Sequence, residues 1–178
     1  MFGRIKSLFE EIKFKLLGVN INVGKNYLQG AIIRKDKMAS LEIGDGFSIR
    51  KNAVLNVSGN GKLLIGEKVF INNDSKINCR DNISIGSGTL IGQNVLFYDH
   101  DHDYRTEHWR EEFQTAPITI GKNVWIGSGC IILKGVSIGS DSVIAAGTIV
   151  LKDVPSNVIC RRELGKMIYK SKDTAVKK

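Results

Sequence analysis

From Ile120 to Val150 an aliphatic residue recurs every six positions: Ile120, Ile126, Ile132, Ile138, Ile144, Val150. A glycine or alanine follows several of them, at Gly121, Gly127, Gly139 and Ala145. The beat is present earlier too, at Ile43, Ile49 and Leu55, at Ile65, Ile71 and Ile77, and at Ile85, Ile91 and Phe97. A period of six is neither the 3.6 of a helix nor the two of a half-buried strand. It predicts an all-β chain, a parallel β-helix in which each hexapeptide supplies one short strand and one turn. The aliphatic residue points inward. The small residue after it turns the corner where bulk or an ordinary φ would clash. Three such sides close a coil of roughly 18 residues, and stacked coils bury a continuous aliphatic column.

At 178 residues the chain is long enough for one well-cored domain. Nineteen glycines and two prolines suit turn-dense repeats. Three cysteines without a C-x-x-C pair, Cys79, Cys130 and Cys160, predict neither a disulfide framework nor a structural zinc site, and fit a reducing cytoplasm. Cys130 neighbours an inward position, where a packed thiol is expected rather than a nucleophile. No apolar run reaches the ~18 residues of a spanning helix. Residues 1–18 predict an amphipathic N-terminal helix, with Ile5, Leu8, Phe9, Ile12 and Leu16 on one face and Arg4, Lys6, Lys13 and Lys15 elsewhere. Such a helix caps a solenoid end or makes peripheral membrane contact. The β-helix domain is expected over 19–158, with the weakest repeat signal before residue 41, and a basic segment over 159–178. Of the net charge of +8, seven Lys or Arg against Glu163 and Asp173 put +5 in the last 18 residues. Nothing interleaves aromatic and basic residues in the manner of a nucleic-acid site.

Two breaks in the beat stand out. Ile77 to Ile85 spans eight residues, which predicts a small corner insertion. The larger break, about 98–117, reads YDHDHDYRTEHWREEFQTAP and holds His100, His102 and His108 with Asp99, Asp101, Asp103 and Trp109. Insertions in a solenoid become side loops, and loops on a rigid scaffold carry chemistry. A histidine there suits general-base work near neutral pH, with flanking aspartates to set its tautomer.

The stretch PITIGKNVWIGSGCIILKGVSIGSDSVIAAGTIVLKDVP, Pro117 to Pro155, resembles the hexapeptide-repeat acetyltransferases, closest to the galactoside and maltose type and the polysaccharide O-acetyltransferase branch. The likeness runs from Ile43 to Val158. It implies a left-handed β-helix, an exception to the usual right-handed crossover. It also implies a homotrimer with acetyl-CoA between neighbouring subunits and no metal. By the same resemblance His102 is the catalytic base, Asn72 the active-site asparagine, and Trp125 lies near the pantetheine or the acceptor. Ser128 touches the reacting end of the cofactor, backbone N–H groups at Ala145 and Ala146 bond its arm, and Lys152 and Lys166 lie near its phosphates. Where the family continues with small residues and a proline, this chain has C-R-R-E-L-G-K, Cys160 to Lys166, whose Arg161 and Arg162 can pair phosphate oxygens.

The expected reaction is direct acetyl transfer to a hydroxyl. His102 takes the proton, Ser128 or a backbone N–H stabilises the oxyanion, and the two substrates bind together. Aspartates Asp99 and Asp101 with Tyr98 and Trp109 suit a saccharide acceptor, and the DHDH loop resembles the polysaccharide and lipopolysaccharide branch. Other readings are a different small acceptor (a nucleotide-sugar amine or a xenobiotic), a γ-type carbonic anhydrase with three zinc-bound histidines, and a non-catalytic binding module. The histidine spacings of two and six do not match the zinc pattern.

Overall fold

The computed structural model describes residues 18–21, 26–163 and 166–171. Of the N-terminal helix predicted over 1–18, residues 1–17 lie outside that set, and Gly18 is a turn residue. Among the described residues there are strands and turns and no helix.

The strands form three parallel sheets that make the faces of a triangular prism. Face 1 stacks Val19–Ile21, Ser40–Ile43, Lys62–Ile65, Asn82–Ile85, Ile118–Ile120 and Ser137–Ile138. Face 2 stacks Tyr27–Leu28, Ser48–Ile49, Phe70–Ile71, Leu90–Ile91, Trp125–Ile126 and Val143–Ile144, then Val158–Glu163 and Lys166–Ser171. Face 3 stacks Ile32–Lys35, Val54–Val57, Lys76–Cys79, Leu96–Tyr98, Ile131–Leu133 and Ile149–Val150. The six-residue beat is therefore a strand-to-strand step around the prism.

The beat residues stack in register. Leu55 pairs with Ile77, Ile77 with Phe97, Phe97 with Ile132 and Ile132 with Val150. By the difference of those residue numbers, successive coils are 22, 20, 35 and 18 residues long. Only the last matches the 18 expected for an unbroken triangle. All of these side chains are fully buried. A second inward position on each face brings in Phe47, Val69, Val95 and Val124, together with the hydroxyls of Ser75 and Thr89. Those hydroxyls are satisfied at once: Ser75 Oγ donates to the Gly92 carbonyl at 2.7 Å, and Thr89 Oγ1 to that of Gly121 at 3.1 Å. Burying them bonded removes most of the penalty an unpaired hydroxyl would carry.

Bulk, not φ, explains the glycine that follows several of the aliphatic residues. Gly127 does not adopt the left-handed region, but a Cβ there would stand 2.6 Å from the Ala146 nitrogen of the next coil. The left-handed residue comes two positions later, and asparagine and aspartate share that task with glycine. Asn52, Asp74 and Asn94 have φ of 60°, 62° and 55°, and Gly129 and Gly147 continue the series. The side chains also stack, with Asn52 Nδ2 donating to Asp74 Oδ1 at 3.1 Å.

The solenoid extends further at both ends than its clearest repeats. Residues 19–40, irregular by the beat, supply the first strand of each face. Past Val158 face 2 continues: Cys160 pairs with Ile144, is fully buried, and closes the column. Val158–Glu163 then pairs antiparallel with Lys166–Ser171. Much of the basic segment is thus sheet. Its remainder, 172–178, lies outside the described residues.

Candidate active site

From Ile43 to Val150 every departure from six lies at one corner, where face 3 hands over to face 1. Four extra residues enter between Leu55 and Ile65, around Ser58–Gly61, and two more between Ile77 and Ile85, at Arg80–Asp81. The third insertion is the histidine-bearing loop. It is not an open loop at its base. His100–His102 and Phe113–Thr115 form an antiparallel hairpin, with His100 opposite Thr115 and His102 opposite Phe113. Side chains alternate along a strand, so His100 and His102 share one side and Asp101 takes the other.

The anchor of this hairpin is Asp99. Its carboxylate is fully buried and accepts the backbone N–H groups of Arg80, at 2.9 and 3.0 Å, and of Asp81, at 2.8 Å. The His100 ring joins it, Nδ1 lying 2.8 Å from Oδ1. Burial raises the carboxyl pKa, but the His100 bond and the Asp81 and Arg80 N–H groups outweigh it, and the pKa lies below the ordinary carboxylate value. Asp99 is therefore spent on the scaffold and does not reach an acceptor, contrary to the sequence expectation. The two-residue insertion at Arg80–Asp81 supplies those N–H groups, so the small break in the beat holds the large one. On the opposite side of the hairpin Asp101 is ion-paired with Lys134 of the following coil.

His102 is placed differently. It is exposed, and Nδ1 lies 2.9 Å from the Trp109 carbonyl. A carbonyl only accepts, so Nδ1 carries the proton and Nε2 of the neutral ring keeps its lone pair. The ring packs against Phe113, centroids 4.5 Å apart, and edge-on to Trp109 at 6.0 Å. Tautomer and orientation are fixed by the loop's own backbone and rings, and no aspartate is used. Among the described residues no three His, Cys, Asp or Glu side chains gather as a metal site.

The other residues singled out in the sequence lie elsewhere. Tyr98 is half-buried on the outside of face 3, and Trp109 is exposed on the loop. Trp125 stands outward on face 2, 55% exposed, between Leu90 and Val143. Asn72, Ser128, Ala145 and Ala146 lie at the corner between faces 2 and 3. Asn72 Oδ1 is turned back onto the Asn73 N–H at 2.8 Å. Ser128 Oγ accepts the Gln93 N–H at 3.1 Å, as Ser87 and Ser140 do for Glu67 and Lys122 at another corner. Its proton remains available to donate. The Ala145 N–H is given to the Cys160 carbonyl at 2.9 Å, so of the alanine pair only Ala146 offers a donor without a partner among the described residues. Lys152 is exposed beyond Ile149–Val150. Lys166 opens the last strand opposite Glu163, and its side chain lies outside the described residues. Cys130 is buried with its thiol pKa raised by that burial, and burial pushes Cys160 up to about 11, so both are neutral thiols at pH 7.

Within one chain these residues form two groups on opposite edges of face 3. His102 and Trp109 stand at one edge, Asn72, Ser128 and Ala146 at the other. The strands between them are two to four residues long, which is on the order of 10 Å.

The prism is a hexapeptide-repeat solenoid whose one long insertion is the histidine-bearing hairpin. Residues 117–152 match the family model described as the hexapeptide repeat of succinyl-transferase. The galactoside O-acetyltransferase of Escherichia coli K12 is 43% identical over 96 residues, 53% of this chain and 47% of that protein. A second Escherichia coli K12 protein, bearing the name of a lipopolysaccharide biosynthesis O-acetyl transferase, WbbJ, is 27% identical over 154 residues, 78% of this chain and 74% of its own length. Among solved structures, a hexapeptide-repeat acetyltransferase of Vibrio cholerae O1 biovar eltor, complexed with acetyl-coenzyme A, superposes with a TM-score of 0.53. It is 28% identical, over 81% of this chain and 72% of that one. These likenesses are to hexapeptide-repeat acetyltransferases, and the chain spans about half the length of the galactoside enzyme it matches.

Proposed function

We propose that this protein is an acetyl-CoA-dependent O-acetyltransferase that acts on a sugar hydroxyl in surface polysaccharide or lipopolysaccharide synthesis. It works as a homotrimer of left-handed β-helices, with His102 as the general base. The observation that carries the reading is the His102 Nδ1–H bond to the Trp109 carbonyl, which leaves Nε2 as a fixed, solvent-facing proton acceptor. Relatives named for galactosides and lipopolysaccharide support a saccharide acceptor, and the acetyl-CoA complex of the Vibrio protein supports the donor.

The separation of the two residue groups supports the trimer. If the loop corner of one copy meets the face 2–face 3 corner of the next, His102 of one chain faces Ser128 and Ala146 of another. Oligomers with closed symmetry are the rule for such surfaces. At that junction His102 Nε2 takes the hydroxyl proton as the sugar oxygen attacks the thioester carbonyl. The Ser128 hydroxyl or the Ala146 N–H stabilises the negative charge that develops on the carbonyl oxygen. His102 then returns its proton to the departing thiolate, so no covalent enzyme intermediate forms and positioning supplies much of the rate. The donor fits what the corner offers: one N–H without a partner among the described residues, a serine with a proton to give, and the exposed indole of Trp125. Lys152 and Lys166, with Arg161 and Arg162, are assigned to its phosphates.

The test is thiol release from acetyl-CoA across a panel of saccharides, with mass spectrometry of the product. Transfer to a sugar hydroxyl that fails in His102→Ala is the expected result. Transfer at undiminished rate in that variant overturns the assignment.

A further inference from the structure

Beside the hairpin, on the side away from Lys134, lies a groove of about 360 Å³ lined by Gly59, Asn60, Arg80, Glu111, Phe113 and Thr115. Its floor is made by the two smaller insertions at the same corner, so this opening exists only because the coils depart from six there. Arg80 dominates it. Its backbone N–H is held by Asp99, and its guanidinium carbon lies 3.8 Å from the centre of the Phe113 ring. The guanidinium has no carboxylate partner and no hydrogen-bond acceptor among the described residues. An arginine fixed by stacking, with its donor fork unused, is pre-organised for an anion. Phe113 also packs against His102, centroids 4.5 Å apart, and edge-on against His100 at 5.5 Å. The guanidinium and the His102 imidazole are thus no further apart than 3.8 and 4.5 Å laid end to end.

We propose that Arg80 on Phe113 is an anion subsite for the acceptor, so that the sugar carries a negative group, a carboxylate or a phosphate, within one ring's reach of the hydroxyl acetylated. This deepens the acetyl-transfer reading and rests on it. Arg80 grips the anion. Asn60 and Glu111 meet neutral hydroxyls at the rim, where the Glu111 carboxylate accepts. Phe113 packs against both the guanidinium of Arg80 and the ring of His102.

The experiment is equilibrium binding by calorimetry to the full chain, which does not depend on transfer. Three probes are compared: methyl glucuronide, glucose 1-phosphate and methyl glucoside. At least one anionic probe binds tenfold or more tighter than the neutral one, and the preference shrinks as salt is raised. The tighter of the two identifies the anion. Arg80→Met keeps the backbone N–H and an apolar chain on Phe113. It brings the anionic probe down to the neutral one and leaves methyl glucoside unchanged, and Arg80→Lys restores part of the difference. Equal binding of all three probes overturns the proposal. So does loss of neutral and anionic binding together in a folded Arg80→Met, which makes Arg80 a clamp on the loop. Charge-selective binding without thiol release from acetyl-CoA leaves the subsite standing and sinks the acetyl-transfer reading.

Discussion

Two corners of the same prism are built on opposite terms. Between faces 2 and 3 the hexapeptide never varies among the clear repeats. There backbone lies against backbone, a Cβ on Gly127 would strike the next coil, and even the hydroxyl of Ser128 is drawn into the stacking. Between faces 3 and 1 every coil from Ser58 to Pro117 adds residues, and the added turns hold a buried aspartate, a stacked arginine and an oriented histidine. Regular stacking leaves no room for side chains to converge. Insertion creates that room, and the neighbouring insertions brace it. The strict corner is left to present small donors, Ala146 N–H and Ser128 Oγ, to something long and thin lying along it.

If that division of labour is right, the largest effect belongs to the irregular corner. His102→Ala is expected to lower kcat by at least about 10²-fold with the KM for acetyl-CoA nearly unchanged, the loss of a positioned base. Steady-state kinetics decide it, and a larger loss from His100→Ala would move the chemistry onto the Asp99 pair. Next comes Asp99→Asn. It removes a charged acceptor from two backbone N–H groups and the His100 ring, worth about 1.5–3 kcal/mol in hydrogen bonds to a charged group. Hydrogen exchange is expected to rise in the hairpin and at Arg80–Asp81 while the far coils keep their protection. The pH dependence has a definite sign. A folded pKa below the ordinary value means the contribution is complete above the unfolded carboxylate pKa of ~3.9 and is lost as pH falls through the lower, folded value. Loosening of the hairpin between pH 5 and 8 would contradict it.

The strict corner is expected to answer in stability and not in selectivity. Gly127→Ala forces a methyl against the Ala146 nitrogen and is expected to cost about 1–3 kcal/mol, measured as a lower midpoint in urea. Ser128→Ala removes the acceptor of the Gln93 N–H, about 1 kcal/mol. A fall in kcat of tenfold or more beyond that, in a folded variant, would give Ser128 the oxyanion role as well.

How much of this was legible in the chain follows the same division. The beat named the inward residue on every face from Ile43 to Val150, because a column of aliphatic side chains leaves a period that nothing else mimics. Cys160 and the first coil were not legible: the column ends on a cysteine beyond residue 158, where the β-helix was expected to stop, and before Leu41 the inward positions are too mixed to show six. The eight-residue step from Ile77 to Ile85 was visible as an insertion. Its purpose was not, since backbone N–H groups aimed at Asp99 leave no trace in residue type. Asp99 and Asp101 look alike in sequence, yet one is buried under the coil and the other faces Lys134, a difference set by the hairpin's alternation. The resemblance singles out His102 on the loop, but the partner that orients its ring, a main-chain carbonyl, carries no side-chain signature.

The smallest effect is expected where that alternation puts Asp101, ion-paired with Lys134 near the surface. The sequence gives an aspartate beside the base two possible duties: touching the acceptor or fastening the loop. A surface pair of this kind contributes about 0.2–1 kcal/mol, so neither Asp101→Asn nor Lys134→Met is expected to shift the unfolding midpoint far. A double-mutant cycle separates the duties. If the pair only fastens the hairpin, each single variant and the double variant show the same small rise in acceptor KM, because once one partner is gone the other has nothing left to lose. If Asp101 also accepts a bond from the sugar, Asp101→Asn raises the acceptor KM beyond Lys134→Met, and the excess persists in the double variant. The first outcome leaves the acceptor to the groove side of the hairpin, with His102, Phe113 and Arg80, and makes the far side purely structural. The second would bring the acceptor around both sides of the strand and weaken the distinction between a chemical and a structural side of this corner.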